Sequence, residues 1–98
     1  MPYSENEIRR HALQALARAP HGKLTTSQLI DILTEEMHPT GQDAEVLNNR
    51  EDTYFSQKVR NLVSHRNEGQ GLQVNGLADY NADEEGWTIT DLGRHQVA

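Results

Sequence analysis

Apolar residues recur near the start of the chain at the spacing of a helix face: Ile8, Ala12, Ala15, Leu16 and Ala19. Ser4 precedes them, with Glu7 three residues on. That pair predicts a capping box, in which the serine oxygen accepts from an orphan amide and the glutamate reaches back. Pro20 cannot continue the helix, and Gly22 follows close behind. Lys23, Leu24 and Thr25 read as a very short extended piece. Thr25 then caps a second helix, with Gln28 as its partner. Leu29, Ile30, Ile32 and Leu33 supply its apolar residues, and it should end near Met37, ahead of His38 and Pro39. Residues 38–51 are polar apart from Val46 and Leu47. They read as a long loop with one helical turn, and a loop of that length in a compact domain is commonly functional or disordered.

The third helix is expected from about Asp52 to Asn67. With Phe55 placed at 0° and an advance of about 100° per residue, Phe55, Val59, Leu62 and Val63 share one sector. Thr53, Gln57, Arg60, Asn61 and Ser64 fall opposite. Lys58 and His65 flank the apolar side. Arg66 projects there too, at the fraying end, where a long side chain can reach out. Gly69 and Gly71 end the helix.

The remainder reads as a hairpin: a strand over Leu72 to Tyr80, a turn at Asn81 to Gly86, and a strand over Trp87 to Ile89. Thr90 or Asp91 can cap a short last helix, broken or ended around Gly93. The order is helix, short strand, helix, helix, strand, strand, helix. Three main helices with a small antiparallel sheet predict an α+β fold of the winged-helix kind, which extends helix-turn-helix logic by adding a hairpin. The chain has 98 residues, so 1–98 is expected to form one domain.

Composition narrows the function. Only 35% of residues are hydrophobic, so Leu, Ile, Val and Phe are needed for the core, and function is sought among polar residues. The absence of cysteine excludes disulfides and thiolate zinc sites. No window approaches the roughly 18 apolar residues of a membrane span, and the start, MPYSENEIRR, carries no secretory signal. An intracellular, cytoplasmic protein with no membrane partner is expected. The net charge of −6 argues against indiscriminate nucleic-acid binding. Charge is uneven, however. Arg50, Lys58, Arg60 and Arg66 cluster mid-chain, while acidic residues gather at Asp31 to Glu36 and Asp79 to Glu85.

The outward face of the third helix has the chemistry to read a duplex. Gln57 and Asn61, four apart, each offer a donor and an acceptor suited to adenine N6 and N7. Arg60 can bond guanine O6 and N7 in bidentate fashion. Thr53 and Ser64 suit phosphates or base edges, and Lys58, Arg66 and Arg50 suit phosphates. His65 is placed to face phosphate or cap a carbonyl. The alternative is the solvated face of an ordinary surface helix. Trp87, the only tryptophan, has two readings: core packing beside Phe55, or, with Tyr54, the apolar contact for a methylated base. No two of the five histidines have the His-Glu-x-x-His spacing of a zinc site, so no metal or cofactor is expected. No nucleophile motif or phosphate loop appears either, and no catalytic residue is assigned.

Three segments carry a family resemblance: FSQKVRNLVSHR from Phe55 to Arg66, Gly76-Leu77-Ala78, and GWTITDLGR from Gly86 to Arg94. Over roughly residues 50 to 95 the chain resembles the winged-helix modules of modification-dependent restriction systems. These include domains fused to HNH nucleases and the N-terminal domain of Mrr-type enzymes. The resemblance implies a reader of double-stranded DNA, with N6-methyladenine as the candidate base. A fused or associated nuclease domain would act as the cutter. One departure is the hairpin tip, acidic here where a DNA-touching wing is usually basic. The competing functions are a small transcriptional regulator, which would usually dimerise, and a winged helix used for protein interaction.

Overall fold

Residues 3–38, 53–69 and 71–97 are described in a computed structural model. Among the described residues the fold is α+β, with four α-helices and one small antiparallel sheet. α1 (Glu5–Arg18) starts at Ser4, whose side chain forms the expected capping box with Glu7. It ends before Pro20, where a single 3-10 turn over Pro20–Gly22 redirects the chain. β1 (Lys23–Thr25) follows, and Thr25 and Gln28 cap α2 (Thr26–Met37) reciprocally. His38 closes α2 in a left-handed conformation. Residues 39–51 of the loop expected over 38–51, with Arg50, and the helix start at Asp52 lie outside the described residues.

α3 (Tyr54–Ser64) is shorter than the sequence suggests. His65 is its C-cap, and 65–67 turn away from the helix axis. An Arg66 guanidinium nitrogen donates to the Val63 carbonyl at 2.7 Å, satisfying a group that another helical turn would have used, while His65 Nδ1 meets the distant Glu5 carboxylate at 2.9 Å.

The first hairpin strand differs most from expectation. β2 covers only Ala78–Asn81, and 72–76 form turns. Gly76 takes a φ of 71°, which a β-strand excludes and glycine tolerates. Asn75 also donates to the Gly71 carbonyl at 2.8 Å, satisfying it from a side chain. The Leu77 amide closes the segment by donating to the Leu72 carbonyl at 2.9 Å. The alternation of Leu72 and Val74 therefore does not mark two strand positions: Leu72 is buried, while Val74 stands in solvent on a turn.

β3 (Gly86–Ile89) is the middle strand, in the order β1-β3-β2. Leu24, Trp87 and Tyr80 sit opposite one another across the three strands, as do Lys23, Thr88 and Asp79. Successive side chains point to opposite faces, so the first row turns inward with Ile89 and Ala78, and the second faces solvent. Trp87 is fully buried. Its ring meets Tyr80 edge-on, at 5.2 Å between centroids, whereas Phe55 is met edge-on by Tyr3. The inner row packs into one core with Ile8, Ala12 and Leu16 of α1, Leu29 and Leu33 of α2, and Phe55, Val59 and Leu62 of α3. Burying a side chain of this size contributes roughly 1.5–3 kcal/mol.

α4 (Asp91–Val97) runs through Gly93 instead of breaking there. Thr90 starts it. Its hydroxyl accepts from the Gly93 amide at 3.0 Å, and donates back to the carbonyls of Gly76 and Leu77 at 2.5 and 3.0 Å. Gly93 is needed for close approach: a Cβ there would run into the Leu77 carbonyl oxygen and sit 2.8 Å from Cγ1 of Ile89. Among the described residues no helix is long and apolar enough to cross a membrane.

Two opposite signs are available for Gly93→Ala. Helix propensity alone favours alanine by about 1 kcal/mol. The clash with a backbone carbonyl opposes it, and overpacking of this kind costs roughly 1–3 kcal/mol. We expect the clash to win, and the variant to unfold at lower temperature than the parent. A raised melting temperature would mean that α4 does not rest on the backbone at Leu77.

Candidate nucleic-acid interface

α3 is held in place from three sides. Phe55, Val59 and Leu62 are buried in the core. At its start, the Thr53 hydroxyl accepts from the Ser56 amide at 3.1 Å and the Ser56 hydroxyl accepts from the Thr53 amide at 2.8 Å. At its end, Arg66 donates to Val63. A rigid helix then presents whatever its outward face carries.

That face comprises Gln57, Arg60, Asn61 and Ser64. Arg60 and Ser64 are exposed, and Gln57 and Asn61 are half-buried. The Gln57 amide nitrogen donates to the Asn61 carbonyl oxygen at 3.1 Å, so the two amides are already aligned one turn apart. The bond uses one donor of Gln57 and one lone pair of Asn61. The Gln57 carbonyl and the Asn61 amino group keep capacity for an acceptor-and-donor base edge.

The other four predicted contact residues are placed differently. Thr53 is the N-cap, and its oxygen is occupied by the first turn of α3. The Lys58 ammonium donates to the Tyr3 carbonyl at 3.0 Å, which turns it back along the protein towards the segment before α1. His65 is directed to Glu5, whose other oxygen pairs with Arg9 at 2.7 Å. Arg66 lies over the Tyr80 ring, 5.1 Å from its centroid, and caps α3. In this conformation these four side chains fix α3 to its surroundings, and the outward reading face reduces to four residues.

The two candidate methyl contacts separate as well. Tyr54 is 39% exposed at the start of α3. Trp87 is sealed in the core, which removes it as a surface contact for a base. Its indole nitrogen has no hydrogen-bond partner among the described residues.

Beside the outward face lies a crevice of about 200 Å³, bounded by the start of α2, the C-terminal half of α3 and the hairpin. Arg60, Val63 and Ser64 line it from α3, and Tyr80 and Glu85 from the hairpin. Of these, the sequence pattern singled out only Arg60 and Ser64 as contact residues. Tyr80 was legible in one respect: it lies across the hairpin from Trp87, and cross-strand aromatic pairs are favoured. A larger cleft of about 520 Å³ lies between α1, the 72–77 turn and α4, and holds none of the predicted contact residues.

The hairpin turn is acidic and exposed at Asp83, Glu84 and Glu85. Glu84 pairs with Lys23 at 3.1 Å, an exposed contact of small energetic consequence. More consequential is the Glu85 carbonyl, which accepts from both the amide and the hydroxyl of Thr26, at 2.8 and 3.1 Å. These bonds hold the turn against α2. Among the described residues no group of histidines and carboxylates is arranged to hold a metal ion. No protein-family model, curated protein or solved structure matches the chain.

The capping role of Thr53 is testable without a ligand. Thr53→Ala should lower unfolding stability by about 1 kcal/mol, the usual cost of losing such a cap, and Thr53→Ser should restore most of it. The urea midpoints of the three proteins make the comparison. Equal midpoints would mean that the Thr53 side chain is not holding α3.

Proposed function

We propose that the chain is a winged-helix domain that reads double-stranded DNA with α3 in the major groove. The observation that carries this is the outward face of α3: an arginine, a serine and two pre-aligned amides on a helix whose opposite side is locked into the core. Arg60 supplies the fork that suits guanine O6 and N7, and the Gln57–Asn61 pair supplies the mixed donor and acceptor that suits adenine. The element order supports the fold assignment. A helix follows two others and precedes a hairpin, whose second strand is sandwiched between the first and β1. In a winged helix this arrangement exposes the third helix to the groove.

The likeness over residues 50–95 to reader modules of modification-dependent restriction systems supports a finer reading. The domain recognises DNA by sequence or methylation, N6-methyladenine being the candidate base, and a fused or associated nuclease domain does the cutting. The domain itself is a binding module with no catalytic role.

One observation favours a second reading. The exposed turn of Asp83, Glu84 and Glu85 would repel phosphates, and suits a basic protein surface instead. Under the DNA reading, the turn stays off the backbone and α3 makes the contact alone.

The decisive measurement is duplex affinity over a salt series for the parent and for Arg60→Ala with Asn61→Ala. Each lost bidentate base contact should cost roughly 1–3 kcal/mol, so preference for a selected site should fall at least tenfold. The residual, sequence-independent binding should keep its salt dependence. Unchanged affinity of the double variant for its selected duplex would sink the DNA-reading proposal.

A further inference from the structure

The cleft of about 520 Å³ between α1, the 72–77 turn and α4 is larger than the crevice beside α3, and shares no residue with it. Its walls are aliphatic: Leu13 and Leu72 are buried, and Leu77 and Val97 are half-buried. Every charged residue that lines it is an arginine, in a chain of net charge −6. Arg9 is paired with Glu5 at 2.7 Å, so the exposed Arg10 sets the charge of the rim. Apolar surface continues beyond the cleft. Leu92 of α4, 55% exposed, is the most exposed large hydrophobic residue among those described. It stands one helical turn before Gln96, which lines the cleft. A Cβ built at Gly76 would meet its Cδ2 at 3.7 Å. Leu92 therefore rests on the turn between Asn75 and Leu77, both of which line the cleft.

These boundaries restrict what the cleft can hold. None of its lining residues belongs to a strand: they come from α1, α4 and the turn. An extended partner would find no strand edge to pair with, and its backbone groups would be left unsatisfied against aliphatic walls. A helix satisfies its own backbone and presents apolar side chains at i, i+3 and i+4. Leucine and valine walls take such anchors, and the Arg10 guanidinium takes a carboxylate at the edge of the same helix. A second copy of this chain is a poorer occupant, because a two-fold pairing of this face brings a second cationic rim to the interface.

We propose that this cleft docks an amphipathic α-helix of a partner protein, with apolar anchors between α1 and α4 and acidic residues beside Arg10. Leu92 extends the apolar contact past the cleft. Gln57, Arg60, Asn61 and Ser64 of the outward face of α3 take no part in it. The docking surface therefore stands or falls separately from DNA reading.

The test selects binders of the full chain from a displayed library of random peptides, each about fifteen residues long, the length at which isolated helices begin to hold in water. Affinities of the enriched peptides are then measured by fluorescence anisotropy. Enriched sequences should carry apolar residues at helical spacing, flanked by Asp or Glu. Leu92→Ser should weaken their binding roughly tenfold, as loss of an interface anchor does. Arg10→Glu should weaken it about fivefold, an effect that shrinks as salt rises, and Arg10→Lys should retain most of the affinity. Exchanging the acidic residues of a peptide for Lys should reverse the preference between the parent and Arg10→Glu. Both side chains are exposed, and circular dichroism checks that the variants fold. Peptides that bind Leu92→Ser and Arg10→Glu as tightly as the parent overturn the cleft, as does a library with no enrichment. Basic peptides that lose affinity on Glu84→Lys place the partner on the hairpin turn and overturn it too. A parent dimer in sedimentation that Leu92→Ser dissociates makes the occupant a second copy, and equally overturns the proposal.

Discussion

β3 is hydrogen-bonded along both edges, to β1 and to β2, and its Trp87 is sealed in the core. The strand is only four residues long, yet both of its ends are committed. Just before it, the Glu85 carbonyl is held by Thr26 at the start of α2. Just after it, the Thr90 hydroxyl binds the carbonyls at Gly76 and Leu77 and starts α4. A register shift of one residue would turn Trp87 and Ile89 to solvent and bring Thr88 inside. It would also pull Glu85 and Thr90 off their partners. The placement of the hairpin against α2, of Tyr80 beside α3 and of α4 on the 72–77 turn all follows from this one register.

The first half of the fold was legible because its signals are local. Ser4 with Glu7, and Thr25 with Gln28, are capping pairs within one helical turn, and the structure forms both. Pro20 ends α1 for a reason contained in its own ring. The failures came where an element depends on something distant. The alternation of Leu72 and Val74 resembles a strand, but a strand needs a partner along its length, and β3 extends no further than Ile89. Asn75 and Gly76 then settle the segment as a turn. Gly93 resembled a helix end because glycine weakens helices. What selects it is the Leu77 backbone, sixteen residues earlier in the chain, which leaves no room for a side chain.

The candidate site shows the same division. Helical projection separated the faces of α3 correctly: Phe55, Val59 and Leu62 are buried, while Gln57, Arg60, Asn61 and Ser64 face out. It could not anticipate where the flanking cations would go. Lys58 and His65 meet Tyr3 and Glu5, contacts separated by more than fifty residues and invisible to any local pattern. Thr53 was read as a contact residue by angle alone, although its position immediately before the helix already suited a cap. The crevice was missed because α2, α3 and the hairpin each supply part of it.

The grip of Thr26 on the Glu85 carbonyl also divides the hairpin into two mechanically distinct parts. Below the grip, the turn is hydrogen-bonded to the start of α2. Above it, the tip at Ala82, Asp83 and Glu84 is exposed, linked to the body mainly by the pairing of Glu84 with Lys23. Length and charge at those three positions can therefore drift, or be lengthened by insertion, without disturbing the strand register. At residue 85 the constraint falls on the backbone: its carbonyl couples the hairpin to α2, and its φ of 51° is one that glycine adopts with least cost.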